Sequence, residues 1–336
     1  MPVRLAILGC GEWGRNHVRV FSERRDSRVT LCVDPDPACL DLVRERYGKL
    51  RCAADPEAAW RDPRVDAVVV ATPTASHFAL AREALRAGKD VLVEKPLCTS
   101  SAEAEELVRL ARRRGRVLMV GHLFLYNDGA RKLRDLMHSG VLGRTYYLHA
   151  TRTNLGPIRR DVSVVWDLAA HDVSIFRWLL GAEPREVSAR GQRILQDGVE
   201  DVAFLSFVFP DGVLAHVHAS WLDPKKVREV TVVGDRKMAV WSDMNAQEPI
   251  RVYDKGVMSA RQYETYGDFP WVVRDGDILI PKMAYTEPLK NQAQHFLECV
   301  RARTEPLTGG RDGLAVVRAL EAATRSMARG GASVRV

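Results

Sequence analysis

Between residues 3 and 120, short apolar runs alternate with segments of helical periodicity. The apolar runs lie at 3–8, 29–33, 66–71, 90–94 and 117–120. They are continuous rather than alternating, as expected for parallel strands covered on both faces. Two of the helical segments end at Gly88 and Gly115, and glycine is a common helix stop. The pattern predicts βαβ units in a doubly wound α/β sheet of the Rossmann type.

The pattern changes after about residue 122. The runs "VAFLSFVF" and "VLAHVHASWL" flank the turn "PDG" and predict a β-hairpin, and helical periodicity returns at 286–303 and 312–329. We therefore expect two domains in the 336 residues. A Rossmann-type domain would span residues 1–122. An α+β domain over 123–336, with a large open and mostly antiparallel sheet, would bind substrate and form oligomers.

Composition and charge restrict the classes of partner. The net charge is +7, from 40 arginines and 10 lysines against 43 acids, but the basic residues are spread along the chain and interleaved with acids. Because the basic residues form no compact patch, their distribution argues against nucleic-acid binding. The excess of positive charge mildly favours an anionic substrate. No apolar stretch has the roughly 18 residues of a membrane span. The six cysteines form no CxxC pair and no metal-ligand spacing, and the N-terminus lacks signal-peptide features. We expect a reduced, cytoplasmic protein with no metal site.

The segment "LGCGEWG" carries the spacing G-x-G-x-x-G directly after the first predicted strand and before the first helix. In this context the glycines permit a tight turn, close approach to a pyrophosphate and packing of the helix on the strand. Asp34 follows the second strand, where a carboxylate accepts both ribose hydroxyls, and no arginine immediately after it would receive a 2′-phosphate. The predicted cofactor is NAD. The predicted cofactor-binding residues are Gly9, Gly11, Glu12, Trp13, Gly14, Asp34, Thr72, Pro73, His77, Glu94 and Lys95. For His77, a place in the first turn of a helix is an equal alternative.

Two further segments place reactive side chains in defined positions. "VLVEKPL" puts Lys95 at the end of the fifth strand, on the edge where ligands of such sheets bind. "VVWDLAAHDVSIF" sets Asp167 and His171 four residues apart, on one face of a predicted helix. One interpretation is a capped helix start followed by a core histidine. The other is an acid and an imidazole that act together on a substrate.

The order of these motifs resembles the Gfo/Idh/MocA family of sugar and polyol oxidoreductases, and the resemblance covers essentially the whole chain. The resemblance implies an NAD-dependent dehydrogenase acting on a CH–OH group. It implies that Lys95, Asp167 and His171 are catalytic and meet over the nicotinamide. His171 would be the general base, Lys95 would stabilise the substrate oxygen, and Asp167 would contact the substrate.

The region before the Asp167 segment departs from the family's inositol-oxidising members, which usually have an additional aspartate there. This chain instead has "ATRTNLGPIRRD", and arginines suit a phosphate or carboxylate. The wider segment is similar to the nucleotide-sugar subgroup, which implies oxidation of the ring 3-hydroxyl of a UDP-N-acetylglucosamine-like sugar. The predicted substrate-binding residues are Lys95, Tyr126, Arg152, Asn154, Arg159, Arg160, Trp166, Asp167 and His171.

Two other hypotheses remain open from the sequence: a dehydrogenase or ketoreductase of a free sugar or inositol, and a non-catalytic NAD-binding sensor. His216 and His218 alternate along a strand and share one face. Because no further metal ligands lie nearby in sequence, we expect that face, beside the apolar strand "AFLSFVF", to form a dimer or tetramer interface.

Overall fold

A computed structural model describes residues 1–48, 50–259 and 271–336 of the chain. The chain divides into two compact units. The first comprises Met1–Tyr126 and Thr286–Glu321, and the second comprises Asn127–Tyr285 and Ala322–Val336. No helix in the described ranges is long and apolar enough to cross a membrane.

The first unit contains a six-stranded parallel sheet, which confirms the predicted doubly wound α/β fold. Its strands are β1 (Val3–Leu8), β2 (Ser27–Val33), β3 (Arg51–Ala53), β4 (Ala67–Val70), β5 (Asp90–Val93) and β6 (Leu118–Val120). Their order is β3-β2-β1-β4-β5-β6. The strands β1 to β3 are therefore added in one direction across the sheet, and β4 to β6 are added in the opposite direction from β1. The three-residue strand β3 was not predicted, because its sequence, Arg-Cys-Ala, is not a continuous apolar run.

Helices connect these strands, and periodicity predicted all of them except a single turn at Glu57–Trp60. They are α1 (Glu12–Ser22), α2 (Pro37–Tyr47), α3 (Glu57–Trp60), α4 (His77–Arg86) and α5 (Ser101–Arg114). The start of α5 is capped by Ser100, whose side chain accepts a hydrogen bond from the Glu103 backbone. Its end is capped by Gly115 in the left-handed conformation, with φ +60°. Capping by the residues that flank α5 therefore explains where this helix begins and ends.

The second unit is built on a nine-stranded sheet of order β14-β13-β12-β11-β7-β10-β9-β8-β15. Neighbouring strands are antiparallel except for β7 and β10, which are parallel. The elements are α6 (Asp128–His138), β7 (Thr145–Leu155), a π-helical turn (Val165–Ala169), α7 (Ala170–Leu180), β8 (Glu186–Gln192), β9 (Val202–Val208), β10 (Leu214–Ser220), β11 (Leu222–Gly234), β12 (Met238–Ser242), β13 (Ile250–Ser259), β14 (Trp271–Leu279) and β15 (Val334–Arg335). The predicted hairpin of β9 and β10 and the predominance of antiparallel pairs are confirmed.

Helices α8 (Pro288–Ala302) and α9 (Gly310–Ala328) follow the second sheet in sequence. Phe296 and Leu297 of α8 are fully buried in the same apolar cluster as Leu5 and Ile7 of β1. The structure therefore assigns α8 and the first part of α9 to the first unit, whereas the division expected from the sequence gave both helices to the second domain. Periodicity shows that α8 has an apolar face but not which sheet covers it.

The faces of β7, β9 and β10 differ in burial. Leu148, Leu205 and Ala215 lie on the buried face, while alternate residues on the other face remain accessible. On that accessible face the Phe204 ring stacks with His218 at 4.5 Å between centroids and with His216 at 6.4 Å. No group of three or more histidines, cysteines or acids among the described residues is arranged to hold a metal ion.

Candidate active site

The glycine loop after β1 is packed so tightly that two of its positions admit no side chain. Gly9 has φ +85°, and a Cβ there would lie 2.5 Å from the Ala71 carbonyl oxygen. A Cβ on Gly14 would lie 1.7 Å from the Gly9 carbonyl oxygen. Around Gly11 there is no atom within 4 Å of the Cβ position, so the backbone is open to a ligand. This is the arrangement that a dinucleotide pyrophosphate requires.

The start of α1 and the end of β2 complete a dinucleotide-binding edge. No side chain caps the first turn of α1, where Glu12 and Trp13 are exposed, so its backbone N–H groups face an incoming anion. Asp34 is 9% exposed. Its carboxylate accepts hydrogen bonds from the backbone N–H groups of Cys10 at 2.6 Å and Asp36 at 2.9 Å. A fixed carboxylate beside an open glycine loop fits the ribose and pyrophosphate of NAD.

His77 requires a correction, because it is 1% exposed and does not offer its ring to a cofactor. Its Nδ1 lies 2.8 Å from the Pro96 carbonyl oxygen and its Nε2 lies 2.9 Å from the Thr72 carbonyl oxygen. Burial lowers the pKa of the His77 imidazole. The ring thus connects the loop of Thr72 and Pro73 to the loop of Lys95, and we interpret it as a positioning residue.

The end of β5 is held by a residue that sequence reasoning missed. His17 on α1 is 1% exposed, and its Nε2 lies 2.8 Å from Oε1 of Glu94. The other carboxylate oxygen of Glu94 accepts the Lys95 backbone N–H at 3.2 Å. Burial acts to raise the pKa of Glu94, but the His17 hydrogen bond and the Lys95 charge outweigh it and hold that pKa below its usual value. His17 therefore anchors Glu94, the residue next to the predicted catalytic lysine. The helical periodicity of α1 could have shown that His17 lies on the buried face, and a buried histidine needs a polar partner.

In the second unit, Asp167 lies inside the π-helical turn that leads into α7, so the interpretation of Asp167 as the helix N-cap is wrong. π-Helical turns are rare and are frequent at functional sites. The Asp167 carboxylate accepts hydrogen bonds from Arg159 Nη1 at 3.1 Å and from Trp221 Nε1 at 3.3 Å. Trp221 is 1% exposed and was not predicted. These donors fix the orientation of the carboxylate.

His171 follows one turn later, on α7, and is only partly buried. It is therefore not the enclosed core histidine of the alternative interpretation. The next residue, Asp172, forms a buried ion pair with Arg152 of β7, with Nε to Oδ2 at 2.9 Å and Nη2 to Oδ1 at 2.8 Å. Since Arg152 is 4% exposed and engages Asp172 through both nitrogens, its predicted role in substrate binding is corrected to a structural one.

The remaining predicted substrate residues occupy different environments. Tyr126 is fully buried in the first unit, and its hydroxyl lies 3.1 Å from the Thr308 hydroxyl, so its predicted substrate role is corrected to core packing. Asn154 donates to the Gly156 carbonyl oxygen. Trp166 donates through Nε1 to the Thr324 hydroxyl at 3.3 Å. Arg160 is exposed. Of the arginines before the helix, Arg159 and Arg160 therefore remain as candidates for an anionic ligand.

Two family models match the chain. The model described as "Oxidoreductase family, NAD-binding Rossmann fold" matches residues 3–122. The model described as "GFO/IDH/MocA C-terminal domain" matches residues 130–240. Together these matches span well over half of the sequence and include the glycine loop, Lys95, Asp167 and His171.

Similar proteins include dehydrogenases of two substrate types. The UDP-N-acetylglucosamine 3-dehydrogenase of Acidithiobacillus ferrooxidans is 28% identical over 96% of this chain and 95% of its own length. The scyllo-inositol 2-dehydrogenase (NAD(+)) of Bacillus subtilis is 28% identical over 98% of this chain and 95% of its own length. The crystal structure of GenD2 from gentamicin A biosynthesis in complex with NAD superposes with a TM-score of 0.84 at 26% identity, covering 100% of this chain and 96% of GenD2.

Proposed function

The chain belongs to the Gfo/Idh/MocA family of oxidoreductases, and we propose that it oxidises the ring 3-hydroxyl of a UDP-N-acetylglucosamine-like nucleotide sugar. In general terms, the chain is an NAD-dependent dehydrogenase that acts on CH–OH groups of sugar-like substrates. Its relatives include dehydrogenases of a nucleotide sugar and of an inositol, which favours an enzyme over a non-catalytic NAD-binding sensor. We also propose that the first unit binds NAD and that the second unit binds the substrate.

Three residues carry the chemistry in this proposal. Bound NAD supplies the acceptor for the hydride that leaves the carbinol carbon. The His171 imidazole takes the hydroxyl proton as general base. The Lys95 ammonium donates a hydrogen bond to the same oxygen and stabilises the negative charge that develops on it. Asp167, held by Arg159 and Trp221, contacts the substrate beside His171.

The observation that carries the nucleotide-sugar proposal is the hydrogen bond of Arg159 to Asp167 at 3.1 Å. It brings the arginine loop next to the aspartate of the proposed catalytic pair. Arg159 also pairs with Asp161, so its charge is largely compensated. Arg160 is exposed on the same loop, and its planar guanidinium suits a diphosphate. In this proposal Arg160 binds the diphosphate and Arg159 positions Asp167.

A free sugar or inositol is the second candidate substrate. The buried pairing of Arg152 removes one of the cations that favoured a diphosphate. The inositol dehydrogenase relative is as similar to this chain as the nucleotide-sugar relative, at 28% identity each. A free sugar or inositol would be oxidised by the same Lys95 and His171 chemistry. It differs from a nucleotide sugar in carrying no diphosphate for an arginine to bind.

The test is a comparison of NADH formation with UDP-N-acetylglucosamine, UDP-glucose, glucose and myo-inositol under identical conditions. We expect the highest kcat/KM with UDP-N-acetylglucosamine, and a 3-keto product. Oxidation of myo-inositol or glucose with no response to either nucleotide sugar would establish the second candidate instead. Loss of activity in His171→Ala with the best substrate would show that the measured turnover belongs to the proposed site.

We further propose that the accessible face of the second sheet pairs with a second copy of the chain, giving a dimer or tetramer in the cytoplasm. Tyr147, Phe204 and Leu214 share this face and are 45%, 47% and 54% exposed. Their strands are neighbours in the order β7-β10-β9, so these side chains belong to one patch. Exposed apolar patches of this kind are characteristic of protein–protein interfaces. Sedimentation equilibrium tests the proposal, and a monomer at micromolar concentration would contradict it.

A further inference from the structure

The first unit contains a cavity that the proposed reaction does not use. It has a volume of about 560 Å³ and lies among the end of α5, the start of β6 and the segment from Arg303 to Arg311. A volume in this range is typical of sites for small organic ligands. Its apolar lining includes Val108, Val117, Leu118 and Pro306. The cavity therefore offers a surface on which an apolar group can be buried.

The cavity lies at the opposite edge of the sheet from the cofactor site. The glycine loop, Asp34 and Lys95 follow the carboxyl ends of β1, β2 and β5. Val117 and Leu118 stand at the amino end of β6, and Asp90 at the amino end of β5 pairs with the cavity residue Arg303. Because all these strands are parallel, their two ends define separate edges. A ligand in this cavity would be distinct from NAD.

Five arginines line the cavity, and they differ in how fully their charges are compensated. Arg303 pairs with Asp90 at 2.7 Å, Arg109 with Glu105 at 3.3 Å, and Arg311 with Glu305 at 4.0 Å. Within the described ranges, Arg112 makes no side-chain hydrogen bond or ion pair, and the buried Nε of Arg116 has no hydrogen-bond acceptor. The five arginines, in chain order, are Arg109, Arg112, Arg116, Arg303 and Arg311.

We propose that this cavity binds a small organic phosphate in which an apolar or aromatic body carries a terminal phosphate group. The apolar lining would bury the body of the ligand. The uncompensated guanidinium groups of Arg112 and Arg116 would bind the phosphate, because arginine matches phosphate oxygens with paired N–H donors. The start of the 19-residue α9 at Gly310 borders the same space and adds backbone N–H groups of favourable polarity.

The experiment uses the full-length protein with saturating NAD and measures the binding of 1-naphthyl phosphate and of inorganic phosphate by isothermal titration calorimetry. We expect saturable 1:1 binding of 1-naphthyl phosphate, at least about tenfold tighter than that of inorganic phosphate, because the naphthyl ring would be buried on the apolar lining. Arg112→Gln and, separately, Arg116→Gln should each weaken the binding of 1-naphthyl phosphate about tenfold, the effect of one lost charge-assisted hydrogen bond.

The matched control is Arg113→Gln, because Arg113 is the next residue of α5, is exposed, and does not line the cavity. This variant should bind 1-naphthyl phosphate as the unmodified protein does. Three results would overturn the proposal: no saturable binding, equal weakening by Arg112→Gln and Arg113→Gln, or binding that neither cavity variant alters. The last would locate the probe elsewhere. Equal affinities for both probes would refute the predicted class of ligand.

Discussion

Arg152 of β7 and Asp172 of α7 form a buried, bidentate ion pair with distances of 2.9 and 2.8 Å. Their side chains are 4% and 1% exposed. Asp172 is the residue after His171, so the pair fixes the beginning of the helix that carries the proposed general base. An arginine expected to bind substrate thus holds the helix of the proposed general base, and mutation can distinguish the two roles.

We expect Arg152→Ala to destabilise the protein by about 3–5 kcal/mol, because removing one partner leaves a buried charge uncompensated. The free energy of unfolding in urea measures this loss. The KM for substrate in the folded fraction should change little. The double variant Arg152→Met, Asp172→Leu should recover much of the stability, since it removes both charges. Unchanged stability with a raised KM would restore the substrate-binding interpretation.

Cofactor choice should depend on Asp34. We expect tighter binding of NAD than of NADP, because the 2′-phosphate would be repelled by a carboxylate that two backbone N–H groups hold in place. Asp34→Ala should narrow the difference, as measured by fluorescence titration with both cofactors. Asp36→Ala is the matched control, since its side chain caps α2 through the Ala38 N–H. Equal affinities in the unmodified protein would contradict this prediction.

The proposed catalytic roles predict large losses of turnover. His171→Ala and Lys95→Ala should each lower kcat about a hundredfold or more, the usual effect of losing an acid–base or electrostatic group. NAD affinity should survive His171→Ala, because that residue belongs to the second unit. The exposed His138 on α6 provides a control, and His138→Ala should retain full activity. Near-normal kcat in His171→Ala would remove His171 from the mechanism.

The nucleotide-sugar proposal predicts an effect on KM rather than on kcat. Arg160→Gln should raise the KM for UDP-N-acetylglucosamine about tenfold, because a charged hydrogen bond to the diphosphate is lost in ground and transition states alike. Steady-state kinetics should show a much smaller change in kcat. Arg185, an exposed arginine at a distant sequence position in the same unit, serves as control. The prediction is wrong if Arg185→Gln raises KM equally.

The contact between His17 and Glu94 predicts a pH dependence of stability. Because the pKa of folded Glu94 lies below its usual value of about 4.3, its ionised form stabilises the fold above that pH. That contribution is lost as the pH falls through the lower folded pKa. The unfolding free energy of the unmodified protein should therefore exceed that of Glu94→Gln at pH 7, and the difference should shrink on acidification below about pH 4. Urea unfolding at both pH values measures it, and a difference that grows in acid would contradict it.

Much of the cofactor-binding edge could be predicted from sequence because its parts are local. Gly9, Asp34 and Lys95 each follow an apolar run directly, and parallel strands place their carboxyl ends at one edge. Strand length, helix periodicity and glycine stops are likewise properties of a few consecutive residues. The doubly wound sheet and the position of its ligand-binding edge therefore depend on patterns that the chain itself displays.

Other features were decided by residues that are distant in sequence. Arg152 pairs with Asp172, twenty positions later in the chain. His17 contacts Glu94, which is 77 positions away. The hydroxyl of Tyr126 contacts that of Thr308. A local pattern shows that a side chain is charged or polar, but burial and partner choice depend on how separate elements pack. Local patterns were therefore sufficient to predict the βα framework and its glycine loop. Local patterns could not show that Arg152 is enclosed in an ion pair while Arg160 stays exposed, because only the packing of distant elements removes a charge from water.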